Sequence, residues 1–376
     1  MSNKLFKLFC LLFTGILTFL PLKTVRADIA PPASAPGSSI TPGQETRVRM
    51  LAENVLMVIK ADASGNYIAE VSADFAMKNT GSNDEKMAVR FPLEDVSGAG
   101  DGWGGHPTVR NFKAQVNRQA VAVKDIKEPY HSDSPDIHWA SFEAAFPQNK
   151  EVFINVSYTT SLQADGHPTL KYIIGTGSGW YQSIGTAALT VRLPYAASAA
   201  NTWGYMPDNA VLIGKEIRWH WRDYEPDGNE IVQLSMVNPA TWNRILELEA
   251  QTGNEPDNAD AAVKLSQVYV MAASEKHGCM ENETLGSLAE FAVQQTLARR
   301  PSEVKLHLQL AEVYLWMLNC QDVSSPASQV YLKNLKAEIQ TVFEFDPANR
   351  RAVEINETLT KLKTSSTMPQ TNKRKF

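Results

Sequence analysis

The sequence predicts an α+β protein in two segregated parts, an antiparallel β-sandwich followed by a short α-helical repeat domain. Two observations carry that prediction. Residues 48–237 hold about ten short apolar or alternating segments, separated by turn signals and without a helical period. Further on, Leu265-Ser266-Gln267-Val268-Tyr269 is echoed by Leu310-Ala311-Glu312-Val313-Tyr314. Each echo places a Leu, a small residue and an aromatic on one helical face, nine residues after Pro256 and Pro301 respectively, and Pro347 continues the spacing. A period of roughly 45 residues is the signature of a helical repeat array.

The chain has 376 residues, 43% apolar and 20% charged, enough for two or three packed domains. Residues 1–27 have the layout of a signal peptide. Lys4 and Lys7 supply a positive start and Leu8 to Leu20 an apolar run. Val25-Arg26-Ala27 then offers small residues at the −3 and −1 positions of a cleavage site, with Asp28 as the first mature residue. The apolar run is shorter than the roughly 20 residues of a membrane span. Cleavage removes Lys4, Lys7, Lys23 and Arg26 and no acid, so the net charge of −5 becomes −9. Nucleic acid needs a basic surface and is a poor match for such a chain. The expectation is export, to the periplasm, the cell surface or the medium, with no transmembrane segment after cleavage.

Residues 28–46 are rich in Pro, Ala, Ser and Gly and form an extended leader. The β part spans residues 47–238. Val55-Leu56-Met57-Val58-Ile59 is a near-continuous apolar run. Val71, Ala73, Phe75 and Met77 alternate with Ser72, Asp74, Ala76 and Lys78, the pattern of a half-buried strand. Met87 to Phe91 is a strand stopped by Pro92. Val109 to Val116 and Val121 to Ile126 make a hairpin across Asn117-Arg118-Gln119. Ile137, Trp139 and Ser141, then Val152, Ile154, Val156 and Tyr158, continue the alternation. Tyr172 to Ile174, Ala188 to Leu193, Ile217 to Trp221 and Ile231 to Met236 complete the series. A polar side on each strand suits antiparallel sheets with one solvated face.

Residues 239–363 are predicted to be helical. Trp242, Ile245, Leu246 and Leu248 lie at helical spacing after Asn238, an N-cap residue, and Gly253-Asn254-Glu255-Pro256 ends that helix. Leu265, Ser266 and Tyr269 after Pro256, and Leu310, Ala311 and Tyr314 after Pro301, resemble the first helix of a tetratricopeptide repeat. Ala289 and Leu297 fall where that family places small and large residues in its second helix, and Val293 takes its usual aromatic position. The family repeats at 34 residues, whereas the prolines here are 45 and then 46 apart. The excess lies between the helices of each pair, at 274–282 and 319–326. The resemblance covers residues 256–362 and implies a stacked array with a concave groove for a protein or peptide. Residues 364–376 are polar and predicted to be a disordered tail.

Cys279 and Cys320, the two cysteines of the mature chain, each fall in one of these enlarged loops. Stacked repeats bring equivalent loops to the same edge, and a cysteine pair in an exported chain favours a bridge. A Cys279–Cys320 disulfide is the expectation and two free thiols the alternative. In the β part, Val48-Arg49-Met50, Glu53-Asn54-Val55, Phe75 to Gly81, Val89 to Pro92, and Thr176 to Trp180 with Ile184-Gly185 resemble exported bacterial β-sandwich proteins of unknown function. That resemblance implies an exported β domain and no activity.

No Ser or Cys shows the elbow setting, with His and Asp partners, that nucleophilic catalysis needs. No catalytic residue and no cofactor is assigned. The ligand-binding candidates are aromatics beside glycines: Trp103 and His106 in the loop from Gly98 to Pro107, and Trp180 and Tyr181 after Gly177-Ser178-Gly179. Exposed rings of this kind stack on sugars or hold a peptide; the alternative role is to cover a sandwich edge. His131, Asp136 and His138 have metal-ligand chemistry, without a third convergent partner legible for the Asp136–His138 pair. The expected function is a non-catalytic binding or assembly protein of the cell envelope with a protein or peptide partner. Carbohydrate binding through Trp103 and Trp180, and metal-dependent hydrolysis, are the alternatives.

Closing a loop of about 40 residues would stabilise the array by roughly 3–4 kcal/mol on the chain-entropy model. Thiol counting by mass spectrometry checks the bridge. The native exported protein is expected to show no reactive thiol before reduction, and two reactive thiols at that stage exclude it.

Overall fold

A computed structural model describes residues 40–62, 66–93, 109–129, 136–164, 167–174, 177, 179–226, 231–275, 283–320 and 325–365. Among the described residues, sixteen strands precede six helices. The strands are β1 (Thr41–Pro42), β2 (Val48–Ala61), β3 (Tyr67–Asn79), β4 (Glu85–Pro92), β5 (Val109–Val116), β6 (Gln119–Ala120), β7 (Lys124–Pro129) and β8 (Asp136–Phe146). They continue as β9 (Glu151–Ser161), β10 (Gln163–Ala164), β11 (Pro168–Ile173), β12 (Ile184–Arg192), β13 (Thr202–Met206), β14 (Val211–Ile213), β15 (Glu216–Tyr224) and β16 (Ile231–Met236). The helices are α1 (Pro239–Asn254), α2 (Ala259–Ser274), α3 (Glu283–Leu297), α4 (Val304–Asn319), α5 (Pro326–Phe345) and α6 (Arg350–Ser365).

The strands form an eight-stranded sheet, in the order β14-β15-β12-β2-β3-β9-β5-β6, and two four-stranded sheets, β1-β4-β8-β7 and β10-β11-β16-β13. The strand-rich first part and helical second part are as expected, but the sheets differ from an antiparallel two-sheet sandwich. There are three of them, and β12 runs parallel to β2, from Thr186 beside Ala52 to Arg192 beside Val58. Alternation in a sequence encodes which face is buried and carries no strand direction. Parallel pairing needs a long crossover, here the whole stretch from β3 to β11.

Both small sheets pack on one face of the large sheet. Phe91 of β4 lies 5.0 Å, ring to ring, from Tyr158 of β9, and the Tyr172 hydroxyl of β11 reaches Glu53 of β2. A single buried cluster joins all three sheets and runs on into the helices through Trp242, Ile245, Leu265 and Tyr269. The opposite face of the large sheet carries exposed and half-buried side chains. On β15 these include Arg218, His220 and Arg222.

Two bulges set which residues face the core. In β2, Met50 pairs with Met77 and Ala52 with Ala76, so Leu51 is an extra residue. Before it, Val48 and Met50 point inward; after it, Glu53, Val55, Met57 and Ile59 do. A slip of one residue exchanges the two faces of a strand. The bulge backs onto Gly185 of the neighbouring β12, where a Cβ would lie 2.5 Å from the Leu51 carbonyl oxygen. In β5, Arg110 pairs with Thr159 and Lys113 with Ser157, leaving one extra residue. Asn111 takes up the irregularity at φ 56°, and Phe112 then packs inward at 4.9 Å from Phe91.

The first two helices start at asparagine caps. Asn238 accepts from the Ala240 N–H at 2.9 Å and Asn258 from the Ala261 N–H at 3.0 Å. Consecutive helices pack on one another, and α2 also packs on α4 and α4 on α6. The echoed residues Leu265, Tyr269, Leu310 and Tyr314 are all buried. Their tyrosine hydroxyls make matching bonds, Tyr269 to Glu249 and Tyr314 to Glu290, each on the preceding helix. Burial, reinforced by the accepting carboxylate, pushes both phenols above the usual tyrosine range. Glu275, at the end of α2, ties the array to the sheets. Its carboxylate accepts from the Asn238 N–H at 2.8 Å and the Thr241 hydroxyl at 2.9 Å, at the start of α1. Beside it Tyr195 packs on Trp242 and donates to the Val237 carbonyl at 3.0 Å. Cys320 caps the end of α4, while Cys279 and the proposed pairing lie outside the described residues.

Gly185→Ala is expected to lower stability by about 1–3 kcal/mol, because the new methyl meets backbone that cannot swing aside. Urea unfolding reads this directly. An unchanged midpoint would mean that β12 does not press on the bulge.

Candidate functional site

The candidate residues from the sequence scatter. Trp103, His106 and His131 lie outside the described residues. Trp180 is not an exposed platform: it is 2% exposed, its indole N–H donates to the Ile40 carbonyl at 3.0 Å, and Phe146 meets its ring edge-on. The glycine beside it serves close packing, since a Cβ on Gly179 would sit 3.0 Å from Pro42 and 3.1 Å from the Thr41 hydroxyl. Tyr181 is half-buried under the Arg47 guanidinium, 4.8 Å from the ring centre. Asp136 opens β8. His138 Nδ1 lies 2.8 Å from Asp125 Oδ1, a partner from β7 that spacing did not reveal. Among the described residues no three His, Cys, Asp or Glu side chains converge on a point.

The structure instead offers a channel on the large sheet's uncovered face. One depression of about 480 Å³ lies over β2, β3, β9 and β5, lined by Leu56, Val58, Ser72, Lys113 and Ser157 among others. A second, of about 910 Å³, extends it to the sheet's end, where Lys60, Tyr67, Arg110, Pro168 and Asn238 enclose it. Glu70, Asn111 and Thr159 line both, so the two are continuous. The strand registers stack its walls in rungs. Leu56 is level with Ser72, and Ser72 with Ser157; Val58 is level with Glu70, and Glu70 with Thr159. The β5 bulge shapes one side. Asn111 donates to the Thr159 hydroxyl at 3.2 Å, and that hydroxyl donates to the Arg110 carbonyl at 3.3 Å. Lys60 pairs with Glu70 across the other side.

On the core side of the large sheet lies a polar group to which the sequence reading gave no role. Glu53 is 1% exposed, and its Oε1 accepts from the Tyr172 hydroxyl at 2.6 Å. The bond joins β2 to β11 and so the large sheet to a small one. Tyr158 is also buried. Burial first, and then the Glu53 charge, push its phenol far above the usual tyrosine range. Its hydroxyl has no hydrogen-bond partner among the described residues. A signal for Glu53 was present: it stands two and four residues before Val55 and Met57, on the face that becomes core.

No family model matches the chain, and no curated protein matches it. Among solved structures it is similar to a Legionella pneumophila protein described as a "putative nutrient binding protein". The identity is 16% and the TM-score 0.45, over 87% of this chain and 97% of that one. It is also similar to an M1 zinc metallopeptidase from Deinococcus radiodurans, at 8% identity and TM-score 0.29, over 51% of this chain and 42% of that one. Likeness at this level assigns neither family nor activity to the chain.

Tyr172→Phe is expected to cost about 1.5–3 kcal/mol, because it removes a donor from a buried carboxylate. Tyr158→Phe, which removes a hydroxyl with no described partner, is expected to be near neutral or stabilising. Equal losses for the two variants in urea unfolding would exclude a special role for the Tyr172–Glu53 bond.

Proposed function

We propose that the protein is an exported, non-catalytic binding protein of the cell envelope, and that its ligand is an extended polymer lying in the channel on the large sheet. The observation behind this reading is the continuous groove from Leu56 to Asn238, with side chains in register across four strands and closed at one end by the start of α1. The volumes of its two depressions, about 480 and 910 Å³, fall in the range of ligand sites. Strand-borne side chains also place binding groups more rigidly than loops do. Export follows from the predicted leader. The helical array acts as support: its Glu275 carboxylate fixes Asn238, which belongs to the channel's closed end.

A photoreactive p-benzoylphenylalanine placed at position 157, in the channel, tests the reading against one placed at position 340, on the exposed side of α5. Irradiation in the native envelope is expected to give an adduct at 157 and none at 340. Adducts at both positions, or at neither, would overturn the assignment.

A further inference from the structure

We infer that Phe153 is the aromatic platform of a sugar subsite on the uncovered face, two rungs beyond Ser157 of the channel, and that the channel ligand is an uncharged glycan chain. The inference rests on the channel reading above and narrows it to one chemistry.

Phe153 is 55% exposed, in a strand whose flanking residues Val152 and Ile154 are each 1% exposed. It therefore points onto the uncovered face, away from the core. Its cross-strand neighbour is Ala76, and the next one over is Ala52. Small side chains on that flank leave room for a ring to lie against it. The backbone beneath it is pinned: its N–H donates to Asn117 Oδ1 at 2.9 Å and its carbonyl accepts from the Asn117 N–H at 2.7 Å. An aromatic face carries negative potential, which the partly positive C–H bonds on one side of a pyranose ring complement.

The next rung holds the groups that would meet the sugar's hydroxyls. Asn54, Asp74 and Asn155 are level with one another on β2, β3 and β9. Asn155 donates to Asp74 Oδ1 at 2.8 Å and to the Ser72 hydroxyl at 3.2 Å, so the row is already oriented. Amides and hydroxyls both donate and accept, as vicinal diols require. The rungs beyond, Ser72 with Ser157 and Glu70 with Thr159, continue this chemistry into the channel.

Charge and backbone argue for a neutral glycan over a peptide. The channel is lined by the cations Lys60, Arg110 and Lys113 and the acids Asp62 and Glu70, and the adjoining rung adds Asp74, so the cations and acids from that rung to the sheet's end balance and do not select a charged ligand. A peptide's main chain must satisfy an N–H and a C=O at each residue, which proteins commonly supply from a free strand edge. In the middle of this sheet the main-chain groups of β2, β3 and β9 are committed to their neighbours. Only side chains remain, and they suit hydroxyls.

The test is native affinity electrophoresis of the full mature chain in gels containing soluble xyloglucan, galactomannan, mixed-linkage β-glucan or dextran, with polygalacturonate as the anionic control. At least one neutral polysaccharide is expected to retard the protein. Phe153→Ala should weaken that retardation by about tenfold, on the scale of one aromatic contact, and Phe153→Trp should preserve it. Thermal melting of both variants should match the parent, since the ring is exposed. Retardation unchanged by Phe153→Ala, retardation by polygalacturonate alone, or none in any gel would overturn the proposal. In that last case the adduct at position 157 separates the two readings. A peptide adduct keeps the channel and removes the glycan, whereas no adduct removes both.

Discussion

The close approach of β12 to β2 at Gly185 is the constraint on which the rest of the sheet depends. Only a residue without a side chain lets the β12 backbone press against the Leu51 carbonyl, and that is where β2 takes in its extra residue. The bulge decides the phase of everything after it. Glu53, Val55, Met57 and Ile59 become core, and Asn54, Leu56, Val58 and Lys60 become the uncovered face. Without the bulge, the inward phase of Val48 and Met50 would carry Asn54 and Lys60 into the core. One contact between parallel neighbours thus sets both the apolar layer and the lining of the channel on the far side.

The same phase change places a carboxylate inside the protein, where an ion without partners would be costly. Tyr172 supplies a donor from the other sheet. An apolar pair of similar volume would pack at least as well in such a place. The pair's distinctive contribution is alignment: its donor and acceptor meet only when β11 lies in one position across β2. Because β11 pairs with β16 from Ile173 beside Ile231 to Thr169 beside Ser235, and β16 leads directly into Asn238 and α1, that alignment passes on to the first helix.

Much of this architecture was legible in the sequence, and the exceptions have physical causes. The alternation of Val71, Ala73, Phe75 and Met77, and that of Val152, Ile154, Val156 and Tyr158, reported their buried faces correctly because those strands keep one phase throughout. The helical echo was legible because Leu265, Tyr269, Leu310 and Tyr314 all face the interior. Glu53 was obscured because the strand changes phase just before it. Trp180 was misjudged because glycine marks both exposed loops and tight packing, and only the position of Pro42 and Thr41 distinguishes the two. The channel could not be read at all. Leu56, Ser72, Ser157 and Lys113 stand far apart in the chain and become one surface only through the registers of three strand pairs.

The helical array is held together by a different set of contacts. Across the surface formed by α2, α4 and α6, Lys305 meets Asp260 at 2.7 Å and Arg351 meets Glu312 at 2.8 Å, while Gln267 reaches Gln309. Exposed pairs of this kind add little stability, but they engage the charged groups a partner would need, and Lys305 holds the Asp260 carboxyl below the usual carboxylate range. A ligand there would first have to break them. The array's more consequential contacts lie at its root, where Glu275 and Trp242 hold the first turn of α1 against the strands. Those contacts fix the turn that carries Asn238 and Ala240, which line the second depression.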